Sequence, residues 1–138
     1  MVIFSPSLQR SRIMAAIRSK DTKPEMMVRT LLRQLGFPGY RLHRRDLPGC
    51  PDIAYLGRKK AILVHGCFWH GHDCKIGDKR PKVNPEYWMS KISRTRQRDA
   101  LARAAIEELG WRILIVWECD LRDTATLSET LDKFMRSE

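Results

Sequence analysis

Cys67, His72 and Cys74 fall within eight residues of one another, and Cys119 follows the last apolar run of the chain. Three thiolates and one imidazole complete a tetrahedral zinc shell and leave no position for water, so a site of this kind is structural. It would tie the loop after one strand to the end of another. The competing reading, scattered cysteines beside a surface histidine, fits the tight local spacing poorly. Cys119 joins only if the fold brings it there. Cys50 stands apart and reads as a small apolar residue.

A second constellation begins at Leu47-Pro48-Gly49-Cys50-Pro51-Asp52. A Pro-Asp pair opening a strand resembles the start of the PD-(D/E)xK nuclease motif, whose aspartate holds magnesium. Pro-Asp alone is also a common turn, and the second acid and lysine of that motif do not follow, since no acid stands between Asp52 and Asp73. In their place the next strand runs into His65-Gly66-Cys67-Phe68-Trp69-His70. Phosphodiester hydrolysis needs an activated water, a stabilised leaving group and charge neutralisation. Histidine can serve the first two, and Mg²⁺ with carboxylates the last two. Asp99 lies on a largely apolar helix face with Trp88, Ile92, Thr95, Ala102 and Ile106. An aspartate in such a stripe needs a partner. That partner is either a helix neighbour, Arg96 or Arg103, or a catalytic histidine whose tautomer the carboxylate fixes. Glu25 reads first as the acid of a capping box, a role compatible with facing the site.

The elements that must position these residues follow from periodicity and punctuation. Residues 7–19 read as a short basic helix. Thr22-Lys23-Pro24-Glu25 opens a second helix with Met26, Met27, Leu31, Leu32 and Leu35 on its apolar face, ended by Gly36. Residues 40–43 suit a short strand, and Pro51–Leu56 and Ala61–Val64 suit two strands around a turn at Gly57-Arg58. Residues 71–83 read as a loop. Asn84-Pro85 starts a helix that runs to about Leu109, with Asn84 as N-cap. Trp111–Trp117 is a nearly continuous apolar run, expected of a central strand covered on both faces. Residues 124–137 form a last helix. The order α-α-β-β-β-α-β-α predicts an α/β fold, a mixed sheet flanked by helices.

Composition narrows the partner. The 138 residues suit one domain, and 43% apolar with 30% charged residues is an ordinary soluble balance. The formal charge is +10. Residues 1–103 hold 22 Lys and Arg against 8 Asp and Glu, whereas residues 104–138 hold 4 against 8. A basic body with an acidic tail predicts one basic face that gathers phosphates by counterion release. No apolar stretch approaches the roughly 18 residues of a spanning helix, and the first residues do not form a signal peptide. The expected location is therefore cytoplasmic, where clustered Cys and His point to metal before disulfides.

Together, Pro-Gly-x-Pro-Asp (48–52), His-Gly-Cys-Phe-Trp-His (65–70) and Gly-Trp-Arg-x-Leu-Ile-Val-Trp-Glu-Cys (110–119) resemble the very short patch repair (Vsr) endonucleases of bacteria, over about Ser11 to Leu121. The resemblance implies a restriction-endonuclease-like, three-layer fold with a structural zinc, and a nick beside the thymine of a T:G mismatch left by deaminated 5-methylcytosine. It implies that Asp52 and the Val64 backbone carbonyl hold magnesium and that Glu25 joins the water-mediated shell. His70 would be the general base, oriented by Asp99, with His65 near the scissile phosphate, and Cys67, His72, Cys74 and Cys119 would bind zinc. Phe68, Trp69 and Trp88 would wedge into the duplex from the major groove. Met14 and Ile17, in an N-terminal DNA-contacting arm over residues 1–20, would prop the minor-groove side, and Lys91 would contact a base. Thr95 stands where an asparagine helps read the mismatch region, and Gly71 and Asp73 replace histidines. The expected partner is double-stranded DNA with a T:G mismatch, with no membrane and no small-molecule cofactor. The expected species is a nucleoid-associated monomer. Two alternatives remain at this level: a nuclease of the same fold with a restriction-type or antiviral trigger, and an inactive zinc-stapled DNA-binding module. A full Asp52, His70 and Asp99 set argues against the second, since a pure binder has no use for it.

Overall fold

The computed structural model describes residues 22–68, 70–74 and 83–137. The helix expected over residues 7–19, with Met14 and Ile17, lies outside the described residues, as do Trp69 and most of the 71–83 loop.

α1 spans Lys23–Gln34. Thr22 Oγ1 accepts the Glu25 backbone N–H at 3.4 Å, and proline sits in the first turn. This is the N-terminal half of the expected capping box. The glutamate carboxylate turns instead toward Arg29, with Oε2 at 3.1 Å from Nη2. The buried face is carried by Val28 and Leu32, with Leu31 and Leu35 packed alongside, while Met26 and Met27 are exposed.

Four strands follow: β1 (Arg41–Leu42), β2 (Ile53–Tyr55), β3 (Lys60–His65) and β4 (Arg112–Trp117). They form one mixed sheet in the order β1-β2-β3-β4, the first two pairings antiparallel and the last parallel. The parallel pair requires a long crossover, and α2 (Pro85–Glu108) lies in it. The expected side-chain cap is absent at its start. Asn84 adopts φ 53° and ψ 53° and accepts no capping bond, so the proline alone marks the helix entry. A five-residue 3₁₀ turn (Glu118–Arg122) joins β4 to α3 (Thr124–Arg136), which is capped by Asp123 accepting from the Thr126 N–H.

Period-2 alternation sorts the strand residues between two apolar layers. Ile53, Tyr55, Ile62 and Val116 pack with Val28 and Leu32 of α1 and Leu127, Leu131 and Met135 of α3. Ala54, Ala61, Trp111 and Ile113 pack on the other face with Ile106 of α2. The sheet is thus flanked by helices on both faces, which explains the unbroken apolar run of β4. That run does not make β4 central. Among the described residues β4 pairs only with β3, because apolar continuity reports covered faces and not hydrogen-bonded neighbours. Trp117 is correspondingly half-buried, not a core residue, unlike Trp111. Cys50 is likewise not packed as a small apolar residue: it is exposed, in a left-handed turn with φ 45°.

Lys60 is a buried cation that ties the sheet to α3. Its Nζ donates to the Phe134, Met135 and Ser137 carbonyls at 2.7, 2.8 and 2.5 Å. Helix C-terminal carbonyls lack intrahelical donors and favour a positive charge. Lys60→Met keeps the apolar stem and removes these bonds, so urea unfolding should show a loss of about 2 kcal/mol, the scale of hydrogen bonds to a charged group. An unchanged unfolding midpoint would contradict this role.

Candidate active site and metal groups

The parallel register places His65 opposite Trp117, so the segments leaving β3 and β4 start side by side. The chain after β3 winds tightly: His70 N–H donates to the Gly66 carbonyl at 3.2 Å, Gly71 N–H to Phe68 at 3.3 Å and His72 N–H to Cys67 at 2.9 Å. Gly71 is needed here twice over. Its φ is +63°, and a Cβ would lie 2.5 Å from Ile92 Cγ2 of α2. This winding turns His65 and His70 to one side and Cys67 and His72 to the other.

On the second side Cys67, His72, Cys74 and Cys119 place one ligand atom each within 4.8 Å of all the others. Cys119 N–H donates to Cys67 Sγ at 3.4 Å, and Cys119 Sγ lies 3.5 Å from His72 Nδ1. All four residues expected from spacing meet, including Cys119 from the far end of β4. Burial pushes the Cys67 thiol up to about 12 and raises that of Cys119. Crowded, desolvated thiols of this sort lose their protons to solvent when a cation binds and the thiolates ligate it. The donor set fits a metal with a preference for sulfur and nitrogen.

On the first side an open cleft of about 830 Å³ is lined by Glu25, Asp52, Val64, His65, Phe68, His70, Thr95 and Asp99, among others. The Asp99 question resolves in favour of the histidine: His70 Nδ1 lies 2.5 Å from Asp99 Oδ2, while Arg103 pairs with Glu107. An ionised carboxylate only accepts, so Nδ1 carries a proton, and in the neutral ring Nε2 is the nitrogen with the lone pair. The His65 ring stacks on His70 at 3.8 Å with planes 2° apart. His65 is buried and its Nδ1 has no hydrogen-bond partner among the described residues. Burial, then the neighbouring His70, lowers its pKa to about 4, so the ring is neutral at physiological pH. Donor atoms of His65, His70 and Asp99 also lie within 4.8 Å of one another. Imidazole lone pairs lie in the ring plane, however, and two parallel stacked rings do not aim them at one ion. The arrangement suits proton transfer better than ligation.

Asp52, just before β2, lines the same cleft. Its Oδ2 accepts the Val64 N–H at 2.7 Å. Donor atoms of Asp52, Glu25 and His43 lie within 4.8 Å of one another. Burial raises the Asp52 pKa to about 7; the Val64 N–H opposes that rise and Glu25 adds to it. Two carboxylates in a buried wall fit a hard divalent cation, which takes oxygen ligands.

Phe68 and Trp88 meet edge to face at 5.6 Å, and Tyr87 meets Trp88 at 5.2 Å. Two of the three expected wedge aromatics are therefore neighbours beside the cleft. Thr95 lines the cleft and donates to the Lys91 carbonyl at 3.0 Å, one turn earlier. Lys91 is half-buried and does not line the cleft.

Three residues here escaped sequence reasoning. His43 and Arg29 stand beside Glu25, and Trp117 stacks on His72 at 4.0 Å while meeting His65 edge-on at 5.2 Å. Only the β1–β2 pairing brings His43 to Asp52, and no spacing signal marks it. Trp117 could have been found from its place two residues before Cys119.

The raised Asp52 pKa has a testable sign. The folded chain without added magnesium holds this proton more tightly than the unfolded chain, whose aspartate titrates near about 3.9. The site's contribution to stability is therefore greatest below about pH 4 and is lost as pH rises through about 7. Asp52→Asn stays neutral throughout, so urea unfolding should find it gaining on the wild type between about pH 4 and about pH 7. A stability difference independent of pH would contradict the buried, proton-holding carboxyl.

With this geometry in view, the relatives are informative. The family model for DNA mismatch endonuclease Vsr matches residues 1–76. The type II nicking enzyme V.XorIIP of Xanthomonas oryzae pv. oryzae is 47% identical over 123 residues, 89% of each chain. The type II nicking enzyme V.NmeAIP of Neisseria meningitidis is 40% identical over 134 residues, 97% of this chain and 94% of its own. The DNA mismatch endonuclease Vsr of Escherichia coli is 40% identical over 120 residues, 87% of this chain and 76% of its own. The chain therefore belongs to the Vsr family of DNA mismatch endonucleases.

Proposed function

We propose that this DNA endonuclease nicks one strand beside the thymine of a T:G mismatch by magnesium-dependent hydrolysis. The observation that carries the reading is the gathering of two sets in the lining of one cleft: Asp52 with Glu25, and His70 with Asp99. A bound magnesium ion supplies charge neutralisation at the scissile phosphate and stabilisation of the leaving oxygen.

The chain's own residues do the rest. Asp52 holds the ion, with the Val64 carbonyl, and Glu25 acts through its water shell. Asp99 keeps the proton of His70 on Nδ1, so Nε2 accepts a proton from the attacking water. His65, neutral and stacked on His70, sits near the scissile phosphate without adding a charge that would repel the imidazolium formed during proton transfer. Cys67, His72, Cys74 and Cys119 hold zinc in a closed shell and fix the loop that carries His70. Phe68, Trp69 and Trp88 enter the duplex from the major-groove side, Met14 and Ile17 support the minor-groove side, and Lys91 and Thr95 contribute to base contacts. A mismatched step costs less to unstack than a matched one, so a wedge of this kind selects damage by deformability.

The order of sheet and helices supports a restriction-endonuclease-like fold over residues 1–138 as one domain. The excess of Lys and Arg over residues 1–103 supports duplex DNA as partner. Among the described residues no helix is long and apolar enough to cross a membrane. A cytoplasmic, nucleoid-associated monomer with no small-molecule cofactor is the form we propose.

On a T:G duplex with magnesium, Asp52→Ala and His70→Ala should each lower nicking by at least about 100-fold, the lower range for losing one acid–base or metal group. Their DNA affinity should stay near that of the wild type. A T:A control should be cut far more slowly. Equal cutting of both duplexes would favour a restriction-type trigger, and wild-type protein without metal-dependent cleavage of any mismatched duplex would remove the enzyme reading. Elemental analysis should find one zinc per chain, lost or greatly weakened in Cys119→Ser. Full zinc retention in that variant would remove Cys119 from the shell.

A further inference from the structure

His43 and Arg29 have no part in the reading above, yet both are built into the Asp52 wall. The His43 backbone N–H donates to the Asp52 carbonyl at 3.2 Å, so its position is tied to the residue it faces. It adopts φ 50°, a left-handed conformation unfavourable for a side chain larger than glycine. The surrounding contacts must therefore hold it there. Its Nε2 lies 3.3 Å from Arg29 Nη2 and 3.6 Å from Glu25 Oε2. The same Arg29 nitrogen donates to Glu25 Oε2 at 3.1 Å. The three side chains are only 7%, 8% and 13% exposed for Arg29, Glu25 and His43.

We infer that Arg29 and His43 are a positioning pair that holds the Glu25 carboxylate so that it and Asp52 converge on one divalent cation. This rests on the reading of Asp52 as a metal ligand. A guanidinium only donates, so His43 Nε2 accepts and the imidazole proton sits on Nδ1. The nitrogen lone pair is engaged by Arg29 and is not offered to the metal. His43 thus acts on the guanidinium, the guanidinium on Glu25, and Glu25 on the site. A free glutamate at the start of a helix samples several rotamers, and fixing them at the moment of metal binding costs affinity. Here the fixing is already done by a planar, two-way donor. Arg29 also offsets part of the repulsion between Glu25 and Asp52 when no cation is bound.

The test is calorimetric titration of Mg²⁺, and separately Mn²⁺, into the full chain carrying its zinc, for wild type, Asp52→Ala, His43→Ala and His43→Gln. Nicking is measured in parallel at limiting and saturating Mg²⁺. Asp52→Ala should show no binding heat. His43→Ala should raise the dissociation constant about tenfold or more, the usual effect of losing a residue that orients a ligand. Its nicking deficit should be larger at limiting than at saturating Mg²⁺. His43→Gln, whose amide oxygen can accept from Arg29, should stay within about threefold of wild type. If His43→Ala does not fold by circular dichroism, His43→Asn takes its place, since its shorter amide cannot reach Arg29. Asn then binds Mg²⁺ more weakly than Gln, and equal affinities overturn the assignment. Wild-type affinity in His43→Ala with loss in Asp52→Ala overturns the positioning pair alone. Retained affinity in Asp52→Ala overturns the metal reading with it. Loss of Mn²⁺ binding with intact Mg²⁺ binding in His43→Ala makes the imidazole a direct ligand, and this too overturns the assignment.

Discussion

β3 and β4 run parallel and in register from Lys60 opposite Arg112 to His65 opposite Trp117, and the functional half of the molecule hangs on that pairing. Parallel strands end at the same edge, so the segments that leave them start together. Cys67 comes within reach of Cys119, 52 residues later, only because both follow the same edge. The antiparallel β2 begins at that edge and runs away from it, so Asp52 just before its first residue accepts a bond from Val64 near the end of β3. One register therefore sets both metal groups.

The two groups share an electrostatic character despite their different donors. Burial raises Asp52 to about 7 and Cys67 to about 12. In both places the protein has desolvated groups that must ionise to bind a cation. A bound cation would recover the cost of that ionisation, which would link metal binding and folding at this edge. Trp117 touches both the cysteine–histidine group and the paired histidines, stacked on His72 and edge-on to His65 and His70. Its ring therefore packs against both the sulfur-rich side and the proton-transfer side.

Much of this was legible from residue type and spacing. Cys67, His72 and Cys74 are local, and local clusters survive without a fold. The face of α2 from Trp88 to Ile106 is fixed by helical period, so Asp99 could be placed toward a partner before that partner was known. The paired histidines at the end of β3 stand out by composition. What was not legible depends on strand pairing. His43 gains its role from β1 lying against the start of β2, and neither its neighbours nor its spacing encode that. The apolar run of β4 likewise records two covered faces and is silent about which strands flank it. Exposure also misled where small size stood in for burial: Cys50 sits in a left-handed turn at the cleft. Asn84 kept its place at a helix start but not its bonding, because φ 53° turns its side chain out of capping geometry.

The central proposal is that one sheet edge holds two metals of different chemistry, a sulfur-bound scaffold ion and an oxygen-bound catalytic ion. Anomalous diffraction at the zinc and manganese edges, from crystals of the chain with a T:G duplex and Mn²⁺, tests it directly. The expected result is a zinc peak enclosed by Cys67, His72, Cys74 and Cys119, and a separate manganese peak on Asp52 and the Val64 carbonyl, across the cleft from His70. Manganese seated on His65 and His70, or no metal on Asp52 with DNA bound in the cleft, would contradict it.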